Sequence, residues 1–391
     1  MLTQRQLFFD HLAQTSEAPL ALEIEKAEGV YIIDKNGKKF LDLISGISVS
    51  NVGHRHPKVL AAIHDQLDKY MHLMVYGEYI QSPQVQLATL LSEYLPPSLS
   101  SVYFVNSGSE AIEGAMKLAK RFTGRSEIIS FKNAYHGSTQ GSLSIMGNEE
   151  FKNAFRPLLP DIKQIRFNHA EDLDQITNLT ACVVVETIQG EAGVIVPELD
   201  FLKNLSAKCA STGTLLIADE IQTGFGRTGK LFAFEHFGFI PDILCIAKGM
   251  GGGMPIGAFV SSKTIMNSLT KEPVLGHITT FGGHPVCCAA AKATLGIIVE
   301  EKLMEGVEEK EQLFRELLIH QRILSIKGKG LLLSVEFESF EINKRIIDAC
   351  IRKGLITDWF LFNSHSMRIA PPLTISVAEI REACSIIISV L

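Results

Sequence analysis

Between residues 100 and 265, short apolar runs alternate with stretches of helical periodicity, and that alternation narrows the possible folds most. The runs are Val102–Val105, Glu127–Phe131, Ala181–Glu186, Leu215–Ala218, Ile243–Ala247 and Gly257–Val260. Most are apolar throughout, as strands covered on both faces must be. Strands alternating with helices imply an α/β fold with a mainly parallel, open central sheet. In such a sheet, ligands gather beyond the carboxyl ends of the strands.

The flanks read differently. Val30–Asp34 and Lys39–Leu43 surround Asn36-Gly37, a strong hairpin signal. Pro57 opens a helix with apolar residues three and four apart. A long helical stretch is expected over 285–316. Residues 320–391 mix strand-like runs at 323–326 and 331–337 with helices near 341–353 and 376–390. The expected division is an N-terminal segment of a small α+β domain (1–48), a large domain (49–284), and a linking helix with the rest of the small domain (285–391).

The net charge of −6 is spread over both signs with no basic block, which argues against a nucleic-acid or membrane-surface partner. No apolar stretch is long enough to span a bilayer, and the N-terminus lacks the apolar region of a signal peptide. The seven cysteines form no Cys-x-x-Cys pair and mostly sit in apolar runs, so reduced thiols in a cytoplasmic protein are expected. No His/Cys cluster has the spacing of metal ligands.

Four strand ends carry chemistry. Leu215–Ala218 runs into Asp219, and Ile243–Ala247 runs into Lys248 and a glycine-rich turn. A lysine there suits holding an aldehyde cofactor as a Schiff base, and the acid suits keeping a pyridinium nitrogen charged, as pyridoxal phosphate requires. Ser107-Gly108-Ser109 links a strand to an amphipathic helix, where backbone N–H groups and hydroxyls can cradle a phosphate. Tyr135, after the strand ending at Phe131, can stack on a ring. Each has a structural alternative: an N-capping serine, a strand-end acid closing a turn, a solvated lysine, an aromatic covering a strand end. Their joint order favours one site, because each follows a strand of the same alternating region.

Three segments identify a resemblance: Asp219-Glu-Ile-Gln-Thr-Gly-Phe-Gly-Arg-Thr-Gly229, Pro241-Asp242, and Lys248-Gly-Met-Gly-Gly-Gly-Met-Pro255. With them, the chain from Leu41 to Pro372 resembles the class III, or ω-amino, aminotransferases of fold-type I. That group includes acetylornithine, ornithine and 4-aminobutyrate aminotransferases. The resemblance implies a pyridoxal 5'-phosphate enzyme working by a ping-pong mechanism. An amine donor, acetylornithine-like or ornithine-like, would pass its amino group to a keto acid such as 2-oxoglutarate or pyruvate. It also implies a homodimer with the site at the interface. Lys248 would be the Schiff-base lysine and proton carrier, and Asp219 would pair with the pyridinium nitrogen. Gln222 would contact the phenolic oxygen, and Tyr135 would stack on the ring. Ser107, Gly108 and Ser109 would bind the phosphate, joined by Thr280 reaching to the other subunit's cofactor. Glu186 matches an acid close to the cofactor. Arg368 would clamp an α-carboxylate, with Glu191 neutralising it when no carboxylate is present. Thr279 and Ser138 fall on the substrate side.

Two positions depart from the family pattern. Ser138 stands where acetylornithine, ornithine and 4-aminobutyrate enzymes carry an Arg for a substrate carboxylate, and Ile47 where ornithine-specific members carry a Tyr. Lys132 and Arg166 are the candidate replacement cations. An aminomutase or decarboxylase on the same fold is the alternative reaction, and a non-catalytic, cofactor-binding dimer is the alternative class.

Overall fold

The computed structural model describes residues 2–198 and 200–391. Near the N-terminus Ile24–Glu28 (β1), Tyr31–Asp34 (β2) and Lys39–Asp42 (β3) form an antiparallel meander. The Asp34 carboxylate closes the β2–β3 turn by accepting N–H bonds from Asn36 and Lys38, both 2.9 Å, and Gly37 supplies the positive φ (81°).

The six apolar runs become Ser101–Val105 (β4), Glu127–Phe131 (β5), Thr180–Glu186 (β7), Leu215–Asp219 (β8), Ile243–Ile246 (β9) and Gly257–Ser261 (β10). A seventh strand, Ile162–Ile165 (β6), joins them. Its Ile-Lys-Gln-Ile sequence has little apolar character because it lies at the sheet edge, so the run criterion passes over it. The sheet order is β4-β10-β9-β8-β7-β5-β6. Pairs β5·β6, β5·β7, β7·β8 and β8·β9 are parallel, as expected, but β10 runs antiparallel to both β4 and β9. The short link 247–256 explains the reversal, because a parallel return needs a crossover of about a dozen or more residues.

The helix Gly108–Thr123 lays Ala111, Ile112, Ala115, Met116 and Ala119 on the sheet. It starts at an N-capping Ser107 and stops at Gly124, whose φ of 70° ends it without strain. Midway, a Cβ on Gly114 would sit 2.3 Å from the Phe259 ring of β10, so only glycine lets helix and sheet approach this closely. The other face is covered by Phe201–Thr212 and Pro285–Glu300, among others. The single helical stretch expected over 285–316 is two helices, Pro285–Glu300 and Val307–Leu317. The break follows Glu301, passes Lys302 at φ 54° and ends at Gly306.

The C-terminal strands are Ser325–Lys329 (β11), Leu332–Glu336 (β12), Leu355–Ile356 (β13), Trp359–Phe360 (β14) and Asn363–Ile369 (β15). They form the sheet β11-β12-β15-β14, while β13 leaves it to pair in parallel with β3. One apolar core therefore unites Val30, Phe40 and Leu41 with Phe314, Leu333, Ile347 and Ile380. Arg227 ties three parts of the chain together. It is fully buried and donates to Asn51 Oδ1 (2.5 Å), Leu331 O (3.0 Å) and Pro371 O. Among the described residues, no helix is long and apolar enough to cross a membrane.

Candidate active site

Strands β4, β5, β7, β8 and β9 end on one edge of the central sheet, and a cavity of about 380 Å³ opens there. Its wall contains Ser107, Gly108, Ser109, Tyr135, Glu186, Glu191, Asp219, Gln222 and Lys248. Nine sequence-expected residues, scattered over more than a hundred positions, are thus brought to one place.

Lys248 does not end its strand. β9 stops at Ile246, and Lys248 opens the tight turn Lys248–Gly251 with φ +44°. A non-glycine residue in that region stores strain, and such strain clusters at functional sites. Desolvation in the cavity pushes its ammonium down from the ordinary lysine range, opposed chiefly by Glu191. Asp219 is the last residue of β8 and is 5% exposed. Its carboxylate accepts from Ile221 N (3.0 Å) and pairs with His136 Nδ1 (2.7 Å). His136 is a site residue that sequence reasoning misses. Its partnership with Asp219 comes from the alignment of strand ends, which no local spacing reveals.

Glu186 ends β7 and accepts backbone N–H bonds from Tyr135 and Gly190, both 2.8 Å. Burial pushes its carboxyl up to about 7; His136 works against that shift and Asp219 adds to it. Glu191 faces Arg368 of β15 in a bidentate pair, each N–O distance 3.0 Å, with side chains only 6% and 2% exposed. Burial pushes the Glu191 carboxyl up, but Arg368 outweighs it and holds it below the ordinary glutamate range. Gln222 Nε2 also donates to Glu191 (3.3 Å).

The phosphate cradle begins with Ser107, which caps the helix by accepting from Glu110 N (3.2 Å). Gly137, at φ +120°, brings its backbone onto Ser109; a Cβ there would lie 2.2 Å from the Ser109 hydroxyl. Asn106 braces the approach, donating to Glu110 through its backbone (2.7 Å) and side chain (2.8 Å), and to Thr279 Oγ1 (3.3 Å).

Four expected residues are not in the cavity wall. Arg368 lies behind Glu191. Ser138 is exposed, its hydroxyl 3.2 Å from that of Tyr135. Thr279 borders a neighbouring groove, and Thr280 points into solvent from an exposed stretch. The candidate replacement cations are also absent from the wall: Arg166 is paired with Asp172 (2.7 Å) and Lys132 is exposed.

The cavity suits a phosphorylated pyridine aldehyde on three grounds. The N-terminus of a 16-residue helix, with Ser107 and Ser109, offers donors to an anion. The nearby carboxylate of Asp219 suits a cationic ring nitrogen. Two buried polar atoms, Gln222 Oε1 and His136 Nε2, lack a partner among the described residues, and buried polar groups rarely stay so.

Comparison with known proteins identifies the family. Residues 12–391 match the family described as "Aminotransferase class-III". The chain is similar to the acetylornithine aminotransferase of Bacillus cereus, 39% identical over 96% of each chain. It is likewise similar to that of Methanopyrus kandleri, 37% identical over 95% of this chain and 94% of the other. Among solved structures it resembles the ornithine aminotransferase of Toxoplasma gondii, whose active site holds PLP at partial occupancy. There the TM-score is 0.91 and the identity 30%, covering 98% of this chain and 92% of that one.

Proposed function

The chain belongs to the class-III aminotransferases, and from that premise we propose that it binds pyridoxal 5'-phosphate and transfers an amino group from an acetylornithine-like or ornithine-like donor to a keto acid. The keto acid would be 2-oxoglutarate or pyruvate, and the two substrates would visit the site in turn. Bound there, the cofactor supplies an aldehyde to receive the amino group and a protonated ring that draws electrons from the reacting carbon.

The chain's own residues do the rest. Ser107, Gly108 and Ser109 hold the phosphate with backbone and hydroxyl donors. Asp219, oriented by His136, holds the proton on the ring nitrogen. Gln222 fills its free Oε1 valence at the ring's phenolic edge, and Tyr135 covers a ring face. Lys248 Nζ would hold the aldehyde; released when the donor's amine displaces it, and with its ammonium disfavoured by desolvation, it would accept the proton that leaves the donor's carbon. Arg368 receives a substrate carboxylate once Glu191 gives way.

The observation that carries this reading is that Asp219, at the end of β8, and Lys248, in the turn after the adjacent parallel β9, line one cavity. The homodimer belongs to the same proposal. It is supported by the exposure of Thr280 amid exposed apolar side chains, notably Phe281 at 53% and Ile80 at 97%, the latter lining the groove that Thr279 borders. So does the division into small-domain segments 1–48 and 285–391 around a large domain 49–284.

The test follows cofactor absorbance in the purified holoprotein. A donor panel of ornithine, acetylornithine, lysine, 4-aminobutyrate, β-alanine and diamines should bleach it, and pyruvate or 2-oxoglutarate should restore it. Lys248→Ala should lose at least about a hundredfold in turnover, as removal of a general acid–base group does. A Lys248→Ala protein with normal multiple turnover defeats the assignment.

A further inference from the structure

Arg368 is held on every side but one by its own lobe. Its backbone N–H donates to Asp358 O (2.9 Å), and its carbonyl accepts from the Thr357 hydroxyl (2.6 Å). Its Nε–H donates to Asp358 Oδ1 (2.8 Å). The Phe360 ring covers its guanidinium, with the central carbon 4.4 Å from the ring centroid. All these partners lie on the stretch 357–360, which follows β13 and includes β14, beside Arg368 on β15. The remaining partner, Glu191, comes from the loop after β7 of the central sheet and holds the outer edge through two nitrogens. That outer edge is the fork on which a substrate carboxylate would sit.

We infer that Asp358 is a positioning residue for carboxylate recognition: it fixes Arg368 in place, so that Glu191 alone moves when a substrate carboxylate arrives. The inference rests on the transaminase reading for the identity of that carboxylate. Geometry matters here more than charge. An incoming carboxylate replaces the Glu191 carboxylate on the same two nitrogens, so the repulsion from Asp358 is nearly the same before and after the exchange. Asp358 therefore does not set the charge balance. It keeps the guanidinium from following Glu191 out of the site. A reacting amine without a carboxylate leaves Glu191 in place and has no need of this hold.

The experiment compares wild type, Asp358→Ala and Asp358→Asn holoenzymes in separate half-reactions, read by rapid-mixing absorbance. One uses pyruvate and 2-oxoglutarate, the other a carboxylate-free amine such as butylamine. Asp358→Ala should lower kcat/KM for the keto acids about tenfold or more, mostly through KM, as loss of a bond to a charged group does. The amine half-reaction should stay within about threefold of wild type. Asp358→Asn keeps an acceptor oxygen for Nε–H and should rescue the keto-acid reaction. A second readout needs no turnover: propionate binding followed by the fluorescence of Trp359, the sole tryptophan and the neighbour of Asp358. Its affinity should weaken by the same factor in Asp358→Ala and recover in Asp358→Asn. Equal losses for both substrate classes, an Asn variant no better than Ala, or unaltered propionate affinity would each overturn the inference. If Asp358→Ala does not fold, Asp358→Leu, close to Asp in size and without an acceptor, takes its place: a selective keto-acid defect there that Asp358→Asn relieves supports the inference, and near-normal or unselective kinetics refutes it. A wild type inert to every amine and keto acid removes the transaminase reading instead, and the propionate arm then decides the role of Asp358 alone.

Discussion

Replacing Arg368 with Met should damage the folded state more than replacing Glu191 with Gln, because the two partners are left with different company. Their side chains are 2% and 6% exposed, so neither can turn to water when its partner goes. Arg368→Met leaves Glu191 with only Leu361 N (3.1 Å) and Gln222 (3.3 Å), and strips Asp358 of its cation as well. Breaking a buried ion pair from one side costs about 3–5 kcal/mol, most of it the uncompensated charge. Glu191→Gln leaves Arg368 on Asp358 and Phe360, so the loss should be about 1–3 kcal/mol, the worth of hydrogen bonds to a charged group. The double variant should lose less than the two single losses combined. Urea unfolding of the holoprotein at neutral pH, followed by Trp359 fluorescence, measures all three. The pH dependence gives a second check. In the wild type Glu191 is held below its ordinary value of 4.5, so its contribution is full above that value and fades as pH falls through the lower, folded value. In Arg368→Met burial is opposed only by the weaker pull of the Leu361 N–H and Lys248, so the carboxyl rises and takes up a proton at higher pH than in the wild type. The gap between wild type and variant should therefore narrow as pH falls. A Glu191→Gln loss equal to or above that of Arg368→Met would refute the reasoning.

Two other perturbations test the scaffold. Burial pushes His236 down to about 4 from 6.5, so its neutral form supports the fold above 6.5 and that support is lost as pH falls toward 4. His236→Gln should flatten the stability–pH curve across that window, measured as Tm against pH. Gly114→Ala puts a methyl group 2.3 Å from the Phe259 ring and should cost about 1–3 kcal/mol in urea unfolding, as overpacking does. An alanine variant as stable as wild type would mean the helix slides freely on the sheet.

Much of the site was legible because parallel strands deliver their last residues to one edge. Asp219, Glu186 and the Ser107 turn each follow an apolar run, and the sheet does the gathering. What escaped depends on contacts that no run or period encodes. β6 is a half-polar edge strand, and the direction of β10 follows from a link too short for a crossover. Lys248 was legible by type but not by conformation, since its positive φ arises from the turn it opens. Asp358 lies ten residues before Arg368 in an unremarkable stretch, and only the hairpin of β14 and β15 sets the two side by side. Thr280 and Ser138 face outward in the single chain, away from the cavity that the strand ends build.

The parallel pairing of β3 with β13 carries a consequence for biosynthesis. As the chain leaves the ribosome, Leu41 emerges before any residue of the central sheet, and its neighbour Leu355 only after all of it. The early meander must therefore wait, with Phe40 and Leu41 uncovered, until translation is nearly done. For that interval the nascent chain offers a greasy strand edge to its surroundings, and a chaperone that shields it would raise the yield of folded enzyme without ever meeting the catalytic cleft.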